Sequence, residues 1–512
     1  MSRSRWLVRS LSIVVVACCV LPVLADVDTT AIERLVSGFA EEHRFSGSVL
    51  VARGDEVLYE GGFGEAERSF HVPNGPDTVF LVGSVSKQFT SMLILQMVQE
   101  GKIELDAPVG RYLPDFPEDK GQVITIHQLL CHISGLPHYA GFARLDVDLG
   151  DYMRLERPIS DYVELIGKLE LESEPGTNHA YSSMGYIVLG LVAEKVSGKT
   201  FSQLIQQRIA GPLGVHDLGF AYNDRLVERL ARGYVYGIQE LDDGSIELAY
   251  VPEPYRDQSN KYCTGGVHAS VRALFTWARA LFTDKLLSEK YRDLMFTRQA
   301  ENYGYGWSIR SGDDLGLDEE IEVIGHGGSL SGYKASIMML ERGKYTIISL
   351  GNSSTSRSAS VTEGIARLLY GVEPDPANIL GTAVAWRMAQ DGVEVGRTFF
   401  ARQEARGFPD YLNNDFAFAV YAENFAGEYD RPELAQAMID LGLAAHPDSA
   451  MLYLALAELK NGLGKPDAAR AAAEKTLALV EEAGEDPVNA GPRARALLEE
   501  LEPAAATSAT TP

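Results

Sequence analysis

Residues 83–101 read GSVSKQFTSMLILQMVQEG, and this stretch predicts a helix at the centre of the chain's chemistry. Apolar side chains recur every three or four positions from Phe89 to Met97, and Gly101 provides a helix stop. The predicted helix runs from about Ser84 to Glu100. Ser84 and Lys87, near its N-terminal end, are three positions apart, so their side chains lie on one helical face, one above the other.

The pair Ser84 and Lys87 forms a Ser-x-x-Lys arrangement. A serine hydroxyl is a poor nucleophile until a neighbouring group accepts its proton. A lysine one turn away can accept it if burial lowers the lysine pKa, and the helix N-terminus stabilises a developing oxyanion. The pattern is therefore a candidate for nucleophilic catalysis by serine.

The Ser-x-x-Lys pattern is short, and a chain of this length contains such matches by chance. A second match, Ser331-Gly-Tyr-Lys334, lies in a predicted strand, where the two side chains do not stack on a helical face. By itself the pattern favours a plainer interpretation, with Ser84 as an N-cap and Lys87 as a solvated lysine. Motifs elsewhere in the chain are needed to distinguish the catalytic interpretation from the structural one.

The chain has 512 residues, which allows two or three domains and a sizeable core. Its net charge is −25. So acidic a surface repels nucleic acid and anionic membrane surfaces. No stretch beyond the N-terminal segment has the roughly 18 consecutive apolar residues that a transmembrane helix needs. We therefore expect no nucleic-acid partner and no integral membrane span.

The N-terminal segment, residues 1–25, has the features of a secretory signal peptide. Three arginines precede the apolar run Leu11–Leu24, and small residues at the end of the segment form a cleavage site. Its removal changes the net charge from −25 to −28, because the segment contains those three arginines and no acid. We expect a secreted or periplasmic protein, and a lipid anchor at Cys18 is the alternative.

Residues 27–371 read as one mixed domain with strands near both of its ends. A helix in residues 27–45 precedes a hairpin from Ser46 to Glu60, and a polar insertion near residues 239–247 predicts a surface hairpin. The strands predicted near its other end are Tyr305–Arg310, Glu322–Gly325, Lys334–Leu340 and Tyr345–Leu350. With helices between, this order predicts an α/β (α+β) fold whose antiparallel sheet is completed from both ends and flanked by helices, with an all-helical subdomain.

The segment after Pro374-Asp-Pro376 differs in composition, being rich in alanine. We predict a connecting segment at residues 372–400, a helical region at 401–500 and a disordered tail at 501–512. The helices predicted in this region are Pro432–Ala445, Ala450–Leu463 and Pro466–Glu482. Their short connecting turns are typical of tetratricopeptide-like repeats. The helical region is either a cap on the first domain or a partner-binding surface.

Two further motifs carry groups that a Ser-x-x-Lys enzyme needs. Tyr181-Ser182-Ser183 precedes a predicted helix, and His326-Gly327-Gly328-Ser329 follows a predicted strand. Acyl transfer requires a proton acceptor for the serine, a proton donor for the leaving group and two N–H donors for the oxyanion. A tyrosine beside a lysine can perform both proton transfers, and glycines let a substrate backbone approach a strand edge. Three motifs in this order favour the catalytic interpretation.

With these motifs, residues of about 27–370 resemble the serine β-lactamase and DD-peptidase superfamily, in its class C β-lactamase, esterase and D-aminopeptidase branch. The resemblance rests on Ser84-Val-Ser-Lys87, Tyr181-Ser-Ser183 and His326-Gly-Gly328. It implies that Ser84 is the acylated nucleophile, Lys87 the proton relay and Tyr181 the general base and then acid. It also implies an oxyanion hole made by the N–H groups of Ser84 and Ser329.

Two motif positions depart from the pattern of that superfamily. Ser183 replaces the usual asparagine, whose amide contacts an acyl-amide group of the substrate. His326 replaces a lysine that attracts the substrate carboxylate, and a free imidazole is mostly neutral at pH 7. The departures favour an esterase or a peptidase acting on less anionic substrates. β-Lactamase or DD-carboxypeptidase activity is the first alternative, and a non-catalytic scaffold that binds partners through residues 401–500 is the second.

Neither the histidines nor the cysteines predict a metal site or a cofactor. His127, His132 and His138 are five and six positions apart, which does not place them on one helical face, and no carboxylate joins them. Beyond the signal segment, Cys131 and Cys263 lie in apolar surroundings. They are compatible either with two buried thiols or with one disulfide.

Overall fold

The structure is a computed structural model that describes residues 27–41, 43–139, 144–145, 147, 152–221, 224–240, 246–374, 380–405, 415–427, 430–483 and 490–501. The predicted signal peptide, with Cys18, and residues 502–512 of the predicted tail lie outside these ranges. Within them, no helix combines the length and the apolar character needed to cross a membrane.

The strands are short and lie mostly near the two ends of the first region. Their bounds are β1 Gly47–Arg53, β2 Glu56–Phe63, β3 Glu65–Glu67, β4 Val72–Pro73, β5 Phe80–Leu81, β6 Leu218–Phe220, β7 Tyr234–Glu240, β8 Ile246–Pro252, β9 Val267–Ala269, β10 Ser308–Ser311, β11 Glu322–Leu330, β12 Tyr333–Leu340 and β13 Tyr345–Gly351.

The largest sheet has the order β10-β11-β12-β13-β1-β2, and each neighbouring pair is antiparallel. β1 from the start of the region pairs with β13 from its end, with Gly47 opposite Gly351 and Arg53 opposite Tyr345. The predicted antiparallel sheet completed from both ends is therefore confirmed. β7 and β8 form the predicted hairpin around the polar insertion, whose residues 241–245 lie outside the described part of the chain.

Helices cover both faces of this sheet and make up the C-terminal part of the chain. Their bounds are α1 Thr29–Glu41, α2 Ser86–Gln99, α3 Glu118–Gly121, α4 Ile126–Leu130, α5 Ile159–Lys168, α6 Ser183–Ser197, α7 Phe201–Ile205, α8 Gly211–Leu213, α9 Tyr262–Gly265, α10 Val271–Ala280, α11 Glu289–Met295, α12 Ser358–Leu369, α13 Leu380–Asp391, α14 Val393–Ala405, α15 Asp415–Gly427, α16 Pro432–Ala445, α17 Ala450–Gly462, α18 Pro466–Ala483 and α19 Ala490–Glu500.

Strand β1 contributes to the hydrophobic core on both faces of the sheet. Successive side chains of a strand point to opposite faces. Leu50 and Ala52 pack in the cluster that contains α2, whereas Val49 and Val51 pack against α1 and α12. Because both faces are covered, the strand reads as a continuous apolar run rather than as an alternating one.

Helix α2 is buried on all sides, and it begins later than the sequence predicts. Ser84 lies in a single 3₁₀ turn, Gly83–Val85, and the α-helix starts at Ser86. The polar side chains of the helix find partners inside the protein: the Thr90 hydroxyl donates to a carbonyl oxygen at 2.8 Å. These pairings let a helix with several polar residues lie at the centre of the domain.

The third motif lies inside a strand, and not at the end of one as predicted. β11 continues to Leu330 because its second half pairs with β12, with His326 opposite Ile337. Residues 326–329 therefore form part of the sheet edge that borders Ser84. The strand predicted from Tyr305 begins at Ser308 instead.

The C-terminal helices pack on one another around a hydrophobic cluster of their own. α16, α17 and α18 match the predicted helices to within one residue at each end. Leu380 and Val384 of α13 belong to the same cluster as Phe418 of α15. The packing therefore starts at residue 380, inside the stretch that the sequence predicts as a connecting segment. The predicted tetratricopeptide-like character and the domain limits stay predictions.

Candidate active site

Ser84 is presented by a tight turn that packs directly against the third motif. Gly83 has φ +54°, and a Cβ there would lie 2.8 Å from the backbone nitrogen of Ser329. Only glycine combines this left-handed conformation with so close an approach of two backbones. The backbone N–H groups of Ser84 and Ser329, which the sequence predicts as oxyanion donors, thus belong to segments in direct contact.

Lys87 is completely buried one turn beyond Ser84. Its Nζ is 3.1 Å from Ser84 Oγ and 3.4 Å from the carbonyl oxygen of Thr264. Burial lowers the Lys87 pKa to about 7, against an opposing effect of the Cys263 thiol. At neutral pH a large fraction of Lys87 is therefore an uncharged amine that can accept the Ser84 proton.

Tyr181 lies over the same pair, just before helix α6. The Lys87 Nζ is 4.8 Å from the centre of the Tyr181 ring. The phenolic oxygen is buried and has no hydrogen-bond partner among the described residues. Burial raises the Tyr181 pKa, and the nearby Ser84 hydroxyl opposes this rise only in part. Tyr181 therefore holds its proton at neutral pH and is better placed as a donor than as the first proton acceptor.

His326 has both ring nitrogens hydrogen-bonded within the protein. Nδ1 is 2.6 Å from the Gly327 carbonyl oxygen and must donate to it, so in the neutral ring Nε2 accepts from the Tyr303 hydroxyl at 2.9 Å. Burial and the Lys87 charge lower the His326 pKa to about 4. His326 is therefore neutral at pH 7, and its ring contributes a wall of the cleft rather than a cation.

Ser183 is the first residue of helix α6, and its neighbour Ser182 caps that helix. The Gly185 N–H donates to the Ser182 hydroxyl at 3.4 Å. The Ser183 hydroxyl lies 3.5 Å from Nε2 of His138 and faces the cleft. The N-cap therefore orients the whole Tyr181–Ser183 motif towards Ser84.

The cleft above Ser84 has two arms of similar size, which meet at Ser84, Tyr181, Ser329 and Lys334. The first, called here the aromatic arm, has a volume of about 590 Å³. It is also lined by His326, Ser354, Arg357, Ser358, Trp386 and Tyr421. The second, the histidine arm, has a volume of about 610 Å³. It is also lined by His138, Tyr139, Ser183, Asn260, Lys261 and Leu330.

Lys334 and Arg357 are cleft residues that the sequence motifs do not identify. Ser331 and Lys334 lie outside a helix, as the sequence predicts for the second Ser-x-x-Lys match. The Lys334 Nζ instead donates a hydrogen bond to the Ser329 hydroxyl at 2.6 Å. Burial and the Arg357 charge both lower the Lys334 pKa. A single lysine in the otherwise uncharged strand β12 was the available signal, because a strand packed on both faces rarely carries a charge without a role.

His127, His132 and His138 each have a different hydrogen-bond partner, although His132 and His138 both pack against Tyr181. His127 Nδ1 is 2.7 Å from the Tyr305 hydroxyl, and the Ser182 N–H donates to His132 Nδ1 at 3.1 Å. His138 Nδ1 accepts from a backbone N–H at 2.6 Å. Of the three, His132 packs closest to the catalytic candidates, with its ring centre 4.3 Å from that of Tyr181. Its role is to support the Tyr181 ring.

The two cysteines beyond the signal segment are free thiols, and both are buried. Of the two possibilities left open by the sequence, the structure has the unpaired one. Burial raises the pKa of the Cys131 thiol to about 12 and that of Cys263 well above its usual value. Neither is a thiolate near neutral pH, so neither competes with Ser84 as a nucleophile.

Gly328→Ala is expected to lower the acylation rate of Ser84 by about 10²-fold or more, the cost of losing an oxyanion donor. A Cβ on Gly328 would lie 2.0 Å from the Val82 carbonyl oxygen, so β11 must move away from the Ser84 turn. Gly327→Ala is the matched control, since its Cβ meets nothing closer than 3.9 Å. The burst rate with a 4-nitrophenyl ester measures the effect. Equal rates for the two variants would contradict the packing argument.

The acylation rate is expected to rise with pH through about 7 and to level off above it. Below that pH Lys87 is protonated and cannot accept the Ser84 proton, because its pKa is lowered to about 7. His326 does not contribute to this limb, because its pKa is lowered to about 4. Burst rates measured from about pH 5 to pH 9 test the expectation. A rate independent of pH across this window would exclude Lys87 as the acceptor.

The beta-lactamase family profile matches residues 32–370, and the chain belongs to that family. The proteins it resembles are serine hydrolases that include esterases, amidases and penicillin-binding proteins. A penicillin-binding protein of Bacillus subtilis is 29% identical over 356 residues, which cover 66% of this chain and 76% of that protein. Esterase EstB of Burkholderia gladioli is 34% identical over 190 residues, 35% of this chain and 48% of the esterase.

Solved structures agree with this assignment. The octameric penicillin-binding protein homologue from Pyrococcus abyssi superposes with a TM-score of 0.55 at 27% identity, over 68% of this chain and 78% of that one. The D-amino acid amidase from Ochrobactrum anthropi has a TM-score of 0.56 at 22% identity, which shows a shared fold alone. The family match ends before helix α13 begins.

Proposed function

We propose that this protein is a serine hydrolase that cleaves an ester or amide through an acyl-enzyme on Ser84. The observation that carries the proposal is the 3.1 Å contact between Ser84 Oγ and a fully buried lysine whose pKa is lowered to about 7. A structural lysine gains nothing from such burial without a carboxylate, whereas a proton acceptor for serine requires it.

In the proposed first step, uncharged Lys87 accepts the Ser84 proton while Ser84 Oγ attacks the carbonyl carbon. The oxyanion that forms is held by the N–H groups of Ser84 and Ser329. Collapse of the intermediate breaks the bond to the leaving group, which takes its proton from Tyr181, and Tyr181 regains one from Lys87. Water then attacks the acyl-enzyme through the same groups in reverse and releases the acid.

For the substrate we infer an ester or a peptide that does not depend on a fixed cation in the third motif. His326 is neutral, and both of its ring nitrogens form hydrogen bonds within the protein. Ser183 offers a hydroxyl in place of an amide. β-Lactam or D-alanyl peptide hydrolysis is the second candidate. One observation favours it: Lys334, bonded to Ser329, places a cation at the junction of the two arms, where it can attract a substrate carboxylate.

Intact-mass measurement of the full chain tests the proposal after incubation with short activated esters, penicillins and a D-alanyl-D-alanine peptide. We expect an adduct of the acyl group from the esters, located on Ser84 by peptide mapping. Stable penicilloyl adducts or rapid cephalosporin turnover would favour the second candidate. A protein inert to every ester and to fluorophosphonate would overturn the proposal and favour the scaffold alternative.

We further infer that residues 1–25 direct secretion, and one of the relatives is a teichoic acid D-alanine hydrolase of Staphylococcus aureus. That protein is 27% identical over 274 residues, which cover 53% of this chain and 64% of its own length. The mass of the mature N-terminus provides the test. A start at residue 26 supports cleavage by signal peptidase, and a lipid-modified Cys18 supports the membrane-anchored alternative.

A further inference from the structure

Two residues that line the aromatic arm come from outside the part of the chain that matches the family. Trp386 lies on α13 and Tyr421 on α15, beyond residue 370, where the family match ends. Both line the same arm as Ser84 and Tyr181. The C-terminal helices therefore form one side of the cleft in which we propose the chemistry.

Trp386 is held in a defined orientation at the boundary between the C-terminal helices and the first region. Its indole N–H donates to the Tyr421 hydroxyl at 3.1 Å, and its ring packs edge-on against Tyr236, with centroids 5.3 Å apart. Tyr236 in turn packs against Tyr250 at 4.3 Å and stacks on His43 at 4.7 Å. With 8% of its surface exposed, Trp386 is a fixed wall rather than a mobile side chain.

Strand β7, which contacts Trp386 through Tyr236, also contacts a loop that lines the aromatic arm. The Tyr236 N–H donates to the Ser354 hydroxyl at 3.1 Å, and the Ser354 N–H donates to the Tyr234 carbonyl at 2.8 Å. Ser354 lines the aromatic arm. Strand β7 thus links Trp386 to a second lining segment, so the shape of the arm depends on how the C-terminal helices pack against β7.

The lining of the aromatic arm indicates what kind of group fits there. Arg44, Lys334 and Arg357 supply positive charge, serine and threonine side chains supply hydroxyls, and no Asp or Glu is among the lining residues. Trp386 and Tyr421 supply flat apolar surface. Such an arm disfavours a cationic group, and the side formed by Trp386 and Tyr421 favours a flat apolar one.

We propose that Trp386 and Tyr421 are substrate-binding residues, so that the C-terminal helices help to select the substrate. The group they bind is an extended, flat apolar part of the ester or amide that carries no positive charge. This inference rests on the proposed hydrolase function, because it assigns a binding surface to the part of the substrate on one side of the carbonyl that Ser84 attacks. A substrate with only a short acyl group and a small leaving group does not contact Trp386 or Tyr421.

The test compares matched esters in full-chain variants. Acetyl and 4-phenylbutanoyl esters of 4-nitrophenol vary the acyl side, and 4-nitrophenyl and 2-naphthyl acetates vary the leaving side. Each pair gives a ratio: kcat/KM for the extended ester divided by kcat/KM for the short ester. For Trp386→Ala we expect this ratio to fall at least about tenfold in one of the two pairs. Such a fall is a usual cost of losing an apolar contact in a specificity pocket. Trp386→Phe keeps a flat ring and should fall in between.

Phe416→Ala is the matched control, because Phe416 is an aromatic of the same helix as Tyr421 and is 56% exposed away from the arm. It should leave the ratio unchanged. If Trp386→Ala leaves both ratios at the wild-type value, or changes them no more than Phe416→Ala does, the proposed wall has no role in binding.

The rate of Ser84 labelling by a small fluorophosphonate separates this inference from the proposed function. A wild-type protein that is not labelled refutes the hydrolase assignment itself. A labelled wild-type protein with unchanged ratios in the variants refutes the inference alone. Thermal melting shows whether Trp386→Ala has unfolded the protein, and in that case the Trp386→Phe ratios decide.

Discussion

Ser84→Ala is expected to lower kcat/KM for a short 4-nitrophenyl ester by at least about 10⁴-fold, as loss of a serine nucleophile does in other acyl-transfer enzymes. The Ser84 hydroxyl oxygen is the atom that forms the proposed acyl bond, and alanine has no group that can replace it. The Cys131 and Cys263 thiols are buried and protonated. Steady-state kinetics and fluorophosphonate labelling measure the loss.

Two serines near Ser84 serve as checks on the site of labelling. Ser331→Ala removes the serine of the second Ser-x-x-Lys pattern and should leave Ser84 labelled. Ser329 is the more serious rival, because its hydroxyl accepts a hydrogen bond from Lys334 at 2.6 Å. Peptide mapping that places the label on Ser329 would contradict the assignment of Ser84 as nucleophile.

Lys87→Met is expected to lower the acylation rate by about 10³-fold, within the usual range for loss of a proton acceptor. Methionine matches the length of the lysine stem but cannot accept a proton. The substitution should also leave the protein as stable or more stable. The folded-state pKa of Lys87 is about 7, below the ordinary lysine value of about 10.4, so its burial disfavours folding. The stability gained by Lys87→Met is therefore full below pH about 7 and disappears as the pH rises towards about 10.4.

Lys120→Met provides the matched control for a buried lysine. Lys120 is also nearly buried, but its Nζ donates to Asp119 at 2.7 Å and to the Gly167 carbonyl at 3.2 Å. Its replacement removes satisfied contacts, so it should lower the melting temperature and leave acylation unchanged. If Lys87→Met instead lost stability and kept its acylation rate, Lys87 would be a structural residue.

The sequence predicted well what depends on short-range periodicity. Ser84 and Lys87 are three residues apart, and one helical turn brings their side chains together whether the first residues are 3₁₀ or α-helical. Apolar runs bounded by turns predicted β1, β2, β12 and β13, so the antiparallel sheet followed. Its errors lie at element boundaries, where pairing with the next strand of the chain, β12, extended β11 past His326.

What the sequence by itself determined is the set of candidate reacting groups: a serine, a lysine and a tyrosine in motifs of the right order, in a chain that builds a two-sided sheet. The tertiary structure alone decided their properties. Burial among distant segments lowers the Lys87 pKa and raises that of Tyr181, which changes the proposed order of proton transfer. Folding also brings Lys334 and Trp386 to the cleft. Periodicity acts between neighbours, whereas burial and cleft lining depend on segments hundreds of residues apart, and no local pattern records these.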